Sequence, residues 1–288
     1  MYKFCNICPN NCGVNRNEYN LGVCGCSKDI KIAKYYLHPF EEPLISGING
    51  SGTIFFTGCS LKCVFCQNYE LSRNTLGKII TERQLADIFK ELEDKGAHNI
   101  NLVTPTHYTY NIIKAFDIYK PNIPVVYNTH SYESVSTLKD IDPYIDVYLA
   151  DLKFKNPIVS KRYTNKENYF EIAKNSIKFM MNSKKTVIEN GLIKSGTIIR
   201  HLVLPLCTND SIDIVNWFKQ HNTNNAIFSL MGQYTPMGDI KNYNELNRKI
   251  TKKEYSRVLA SVLELPESQC FIQELSSADK KFIPNWDF

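Results

Sequence analysis

Six near-continuous apolar, β-branched runs divide this chain: GTIFFTG (52–58), NINLVTP (99–105), PVVYNTH (124–130), DVYLADLKF (146–154), TIIRHLVLP (197–205) and AIFSLMGQY (226–234). Runs of this kind read as strands buried on both faces of a parallel sheet. Amphipathic segments lie between them. TERQLADIFKELEDKG opens on Thr81 as N-cap, carries Leu85, Ile88, Phe89 and Leu92 on one face, and stops at Gly96. ENYFEIAKNSIKFMMN, SIDIVNWFKQHN and TKKEYSRVLASVLEL follow the same pattern. Six βα units in succession, then a short strand candidate CFIQEL, give an α/β fold. Six units are fewer than the eight of a closed barrel, so an open, partial (β/α)6 TIM-type barrel is expected.

Residues 1–46 differ from the rest. They are rich in Cys, Asn and Gly and read as a small module folded around a metal, because so short a segment supplies little core of its own. Residues 47–288 are assigned to the barrel. With 288 residues, 43% of them apolar, a barrel-sized core is affordable. The net charge of +5 comes from scattered lysines, with no concentrated basic stripe of the kind nucleic-acid binding needs. No apolar run is long enough to cross a bilayer and the amino terminus has no signal core, so a cytoplasmic protein is expected. Thiols stay reduced there. Eight of the ten cysteines fall in the first 66 residues, which points to metal or cluster ligation instead of disulfides.

Ligands of parallel α/β folds bind at the carboxyl ends of the strands. The stretch FFTGCSLKCVFCQNYE (55–70) leaves the first strand there and carries Cys59, Cys63 and Cys66 as CxxxCxxC. Thiolates suit zinc or iron–sulfur clusters, not magnesium or calcium. A structural zinc site is closed by four protein ligands, and this loop offers three. Three cysteines on a short loop suit a four-iron four-sulfur (4Fe–4S) cluster with one iron open to a small molecule.

CxxxCxxC after the first strand of a partial barrel, with Phe65 before the last cysteine, resembles the radical S-adenosylmethionine (SAM) superfamily. The wider run FFTGCSLKCVFCQNYELS is similar to proteins related to the pyruvate formate-lyase activating enzyme. The resemblance implies that Cys59, Cys63 and Cys66 hold the cluster and that SAM chelates the open iron. It implies reductive cleavage of SAM to a 5′-deoxyadenosyl radical, which takes a hydrogen atom from a substrate. It also implies a reductant such as flavodoxin or ferredoxin, and a glycyl-radical protein as substrate. Modification of a small molecule, amino acid or peptide is the competing expectation. A non-catalytic iron–sulfur or zinc protein is a third.

The same resemblance assigns the other strand ends. Where activating enzymes carry a GGE-like run, this chain reads NLVTPTHY, so the glutamate that holds the SAM amino group is lost. Thr104 and Thr106 stand there, as substitute acceptors or as a strand-ending turn. Asn128, in the place of a DTNG-like run, would face SAM. Asp151 and Lys153 match a DLK motif, the acid toward the ribose hydroxyls and the lysine toward the SAM carboxylate. Arg200 is a candidate anion binder beside His201, which reads as a core histidine. Gln233 would reach the adenine side.

Cys5, Cys8, Cys12 and Cys24 could close a four-thiolate site, with Cys26 as alternative to Cys24. Their spacing departs from a zinc ribbon, and zinc or a second 4Fe–4S cluster both fit the chemistry. Asn15 and Arg16, in CGVNR, belong to the same subgroup's pattern.

Overall fold

The computed structural model describes residues 2–73, 76–273 and 275. Glu274 of the CFIQEL run and residues 276–288 lie outside them. The strands are β1 (Ile30–His38), β2 (Ser51–Phe56), β3 (Lys78–Ile80), β4 (Ile100–Val103), β5 (Val125–Thr129), β6 (Val147–Asp151), β7 (Val187–Glu189), β8 (Leu192–Leu202), β9 (Ile227–Met231) and β10 (Cys270–Ile272). The helices are α1 (Pro43–Ser46), α2 (Tyr69–Ser72), α3 (Glu82–Asp94), α4 (Thr109–Ile118), α5 (Val135–Ile141), α6 (Pro157–Thr164), α7 (Tyr169–Ser183), α8 (Thr208–His221) and α9 (Lys252–Val262).

The expected architecture is present. One sheet runs in the order β10-β9-β8-β6-β5-β4-β2-β1-β3, and every pair from β2 to β10 along that path is parallel. The six long runs are its six central strands, and the sheet does not close. Antiparallel β1 and β3 finish one edge. β1 was not foreseen: residues 30–38, inside the stretch read as a metal-folded module, form a strand of the main sheet. The physical reason is the alternation in IKIAKYYLH, which buries Ile30 and Ile32 under the sheet.

Strand alternation sorts side chains into two layers. Tyr127, Tyr148, Ile199 and Phe228 point outward into the core shared with the helices. Val126, Val147, Leu149, Ile198 and Ile227 point inward and meet Ile45 of α1 in a separate small cluster. α1 therefore closes the bottom of the barrel. It follows β1, which runs antiparallel to β2 and ends opposite Ser51, the first residue of β2. Asn99 fastens it, donating to the Ile45 carbonyl at 2.7 Å while accepting from Ser51 Oγ at 2.6 Å. One step up each strand, the inward positions turn polar: Asn101, Asn128, Asp151, Arg200 and Ser229.

Candidate active site

Above that polar layer lies a cavity of about 220 Å³ at the carboxyl ends of the strands. Cys59, Cys63 and Cys66 line one side of it, and Asp151, Lys153 and Arg200 another. The cysteine loop is set by close backbone packing. Gly58 takes φ +87°, and a Cβ there would sit 2.1 Å from Cys26 Sγ. Val64 is clamped on both sides: its N–H donates to the Tyr163 carbonyl at 3.0 Å and its carbonyl accepts from Asp239 N–H at 2.8 Å. Within the loop, the N–H groups of Leu61 and Lys62 aim at Cys59 Sγ at 3.4 and 3.5 Å. Such donors stabilise a ligating thiolate. Phe65 packs edge-on against Phe154, Tyr163 and Tyr234, which anchors the loop against the barrel.

The polar layer is one connected network. Arg200 donates from Nε to Asp151 Oδ1 at 2.8 Å, from Nη1 to Glu41 Oε1 at 2.7 Å and from Nη2 to Asn128 Oδ1 at 2.7 Å. Lys153 Nζ donates to the other oxygen of Asp151 at 2.7 Å. Asn128 and Asn101 donate to Glu41 Oε2 at 3.1 and 3.2 Å. Burial alone would raise the Asp151 carboxyl, but Arg200 and Lys153 beside it hold it at about 2. Glu42, beneath, is different: burial outweighs Arg200 and pushes its carboxyl up to about 7, with Ser229 Oγ donating to it at 2.9 Å.

Seven of the strand-end candidates read from sequence line the cavity: Phe65, Thr104, Asn128, Asp151, Lys153, Arg200 and Gln233. Thr106 does not. It is fully buried behind the strand ends and donates to Glu133, because the backbone turns after Thr104, whose φ is +58°. Arg200 is not the open anion binder expected, since two carboxylates already share its guanidinium. His201 is a satisfied core residue, bonded to the Leu152 carbonyl and to Ser211 Oγ.

Two partners escaped sequence reading. Glu41 comes from the connection into α1, and only the crossing under the barrel brings it to Arg200; nothing local in PFEEP signals this. His130 lines the cavity, accepts from Tyr132 N–H through Nδ1 and so donates from Nε2 to Ser60 Oγ at 2.9 Å. Burial lowers it to about 3, so it stays neutral.

The amino-terminal cysteines sit directly behind the loop. Cys59 N–H donates to the Cys24 carbonyl at 3.2 Å, and Asn10 Nδ2 to the Ser60 carbonyl at 2.8 Å. Among the described residues, no three His, Cys, Asp or Glu side chains meet closely enough to hold a single metal ion. No helix of the described residues is long and apolar enough to cross a membrane.

Comparison with known proteins agrees with this geometry. An uncharacterized protein of Methanocaldococcus jannaschii is 34% identical over 273 residues, covering 90% of this chain and 74% of its own. Two solved structures share the fold. Streptococcus suis SuiB bound to precursor peptide SuiA aligns with TM-score 0.51 at 15% identity over 76% of this chain. Methylornithine synthase aligns with TM-score 0.52 at 14% identity over 74%. The chain spans only 48% and 60% of those two structures. A family model described as the radical SAM superfamily matches residues 53–205, from β2 through β8, which contain the cysteine loop and Asp151, Lys153 and Arg200. The chain belongs to the radical SAM superfamily.

Proposed function

We propose that Cys59, Cys63 and Cys66 bind a 4Fe–4S cluster and that the adjoining network binds SAM, so that the chain is a hydrogen-abstracting enzyme. Family membership implies both groups. The observation that carries the residue assignment is the cavity itself: three thiols of one loop and a lysine–carboxylate network line the same space. The donor set fits. Three soft ligands leave one iron open, and the Leu61 and Lys62 N–H groups suit a ligated Cys59. When bound, the cluster and SAM together supply one-electron cleavage to a 5′-deoxyadenosyl radical.

The protein's share is binding, orientation and exclusion of water. Lys153 offers N–H donors toward a carboxylate. Asp151, kept ionised, is suited to accept from ribose hydroxyls. Arg200 holds Asp151 and Asn128 in register from below, and Glu41 balances its charge. Phe65 and its aromatic partners anchor the loop. Thr104 and Gln233 stand at the mouth as further polar contacts. Cys5, Cys8, Cys12 and Cys24 remain candidate ligands of a second cluster; among the described residues no three of them meet closely enough to hold a single zinc ion.

For the substrate, similarity of the loop to activating enzymes favours a protein backbone, as in a glycyl-radical protein, with flavodoxin or ferredoxin as reductant. A second reading, a small molecule, is favoured by a floor sealed by α1. The two structural neighbours are described with a precursor peptide and as a methylornithine synthase, which span both classes. Anaerobic reconstitution with iron and sulfide, then dithionite and SAM, is expected to yield 5′-deoxyadenosine. A fully loaded protein that makes none would remove the enzyme reading. Cys63→Ala is expected to abolish the product. Deuterium transfer from labelled candidates into 5′-deoxyadenosine then identifies the substrate.

A further inference from the structure

His130 follows the last residue of β5 and lines the cavity, buried, with a backbone held from several sides. The next residue, Ser131, takes φ +63°. Its N–H donates to Thr129 Oγ1 at 3.1 Å, and its carbonyl accepts from Ser176 Oγ of α7 at 2.6 Å. The hydroxyl of Tyr169, fully buried at the start of α7, lies 3.0 Å from the His130 carbonyl and 3.0 Å from the Asp151 carbonyl. It also accepts from Lys153 N–H at 3.0 Å. One hydroxyl thus joins the end of β5 to the Asp151–Lys153 turn after β6.

The His130 ring extends that frame to the cysteine loop. A backbone N–H can only donate, so the Tyr132 N–H, 3.1 Å from Nδ1, makes Nδ1 an acceptor and leaves the ring proton on Nε2. Nε2 then donates to Ser60 Oγ at 2.9 Å. Ser60 follows Cys59 directly and is itself buried. Among the described residues, no other hydrogen bond runs from residues 59–66 to the ends of β5 and β6.

His201 shows what a merely satisfied histidine looks like in this fold. It too bonds a carbonyl and a serine hydroxyl, those of Leu152 and Ser211, but it does not line the cavity and its serine lies on α8. His130 does line the cavity, and its serine lies between two of the three loop cysteines. The loop and the Asp151–Lys153 turn are separate elements, and a reaction between groups held on the two needs them fixed relative to each other.

We propose that His130 is a positioning residue: through Ser60, its Nε2–H fixes the cysteine loop against the strand ends that carry Asp151 and Lys153, and so sets the register between the two sides of the cavity. The proposal rests on the cluster-and-SAM reading above and adds a residue to it. His130 acts through the serine, and Tyr169 holds the backbone from which the ring reaches.

Titration calorimetry of the anaerobically reconstituted, unreduced full chain with SAM reads that register without turnover. His130→Ala and Ser60→Ala are each expected to weaken SAM binding about 10-fold with iron content unchanged, and the double variant about 10-fold and no further. His130→Gln, whose amide nitrogen stands near the place of Nε2, is expected to recover most of the loss. His130→Asn, whose amide nitrogen stands nearer Nδ1, is not. Unchanged binding in either single variant, losses that add in the double variant, or Asn serving as well as Gln overturns the proposal. A wild-type chain that binds no SAM counts against the proposed function and not against the positioning. In that case, or where a variant loses its iron, hydrogen exchange of the cluster-free chain decides. Amides of residues 59–66 are expected to exchange about 5-fold faster in His130→Ala and in Ser60→Ala than in wild type. Unchanged exchange overturns the proposal.

Discussion

Asp151 shows how far a single residue could be read from the sequence. A charged pair inside an apolar run, DLK, marks it as purposeful, and it does face the cavity. Its bond to Arg200 was hidden, because alternation alone puts Arg200 inward without naming a partner. Asp151→Asn leaves Arg200 and Lys153 sharing one lost charge in a mostly buried setting. It is expected to cost on the order of 3–5 kcal/mol in denaturant unfolding, with Asp151→Glu less harmful. Glu42 gives a pH signature. In the folded chain it stays protonated up to about pH 7, but it ionises near 4.5 when unfolded. The folded state therefore holds the extra proton between those values, and its advantage from Glu42 shrinks as pH rises from 4.5 to 7. Glu42→Gln removes that dependence: its melting temperature relative to wild type is expected to rise from pH 5 to pH 8, by on the order of 2–3 kcal/mol of stability. A flat difference across that range would show that Glu42 ionises normally.

At the scale of elements, the six long strands were legible because period and composition agreed. Short elements were not. The β7–β8 hairpin turns through Asn190 (φ +52°) and Gly191 (φ +75°), and Asn-Gly is a strong local hairpin signal that the longer TIIRHLVLP run overshadowed. The cysteine loop depends on a segment far away in sequence. Gly238, at φ +81°, has no room for a Cβ, which would lie 2.3 Å from the Val64 carbonyl. Gly238→Ala is expected to push the loop out of register, lower iron bound at Cys59, Cys63 and Cys66, and destabilise the fold by about 1–3 kcal/mol. Iron content together with circular dichroism separates loss of the loop from loss of the fold.

For the whole molecule, the barrel floor is the feature that sequence did not disclose. PLIS is too short to announce a helix, and its role arises only from where β1 delivers it. Ile45 is fully buried among inward residues of β5, β6, β8 and β9. Ile45→Ala is expected to cost about 2–5 kcal/mol and to lower the melting temperature while leaving Cys59, Cys63 and Cys66 in place. Scanning calorimetry with iron analysis checks both halves.

The floor is laid by residues 41–46, yet what it rests on arrives much later. Glu41 waits for Arg200, and Glu42 for Ser229, 187 positions onward. Contacts of such separation close slowly and late. A chain emerging from the ribosome therefore has its cysteine loop long before it has a chamber beneath it. Metal delivered early would meet exposed thiols on an unfinished sheet, so maturation is expected to follow synthesis of β9. Pulsed thiol labelling during refolding should accordingly find Cys59 and Cys63 protected only in the last phase.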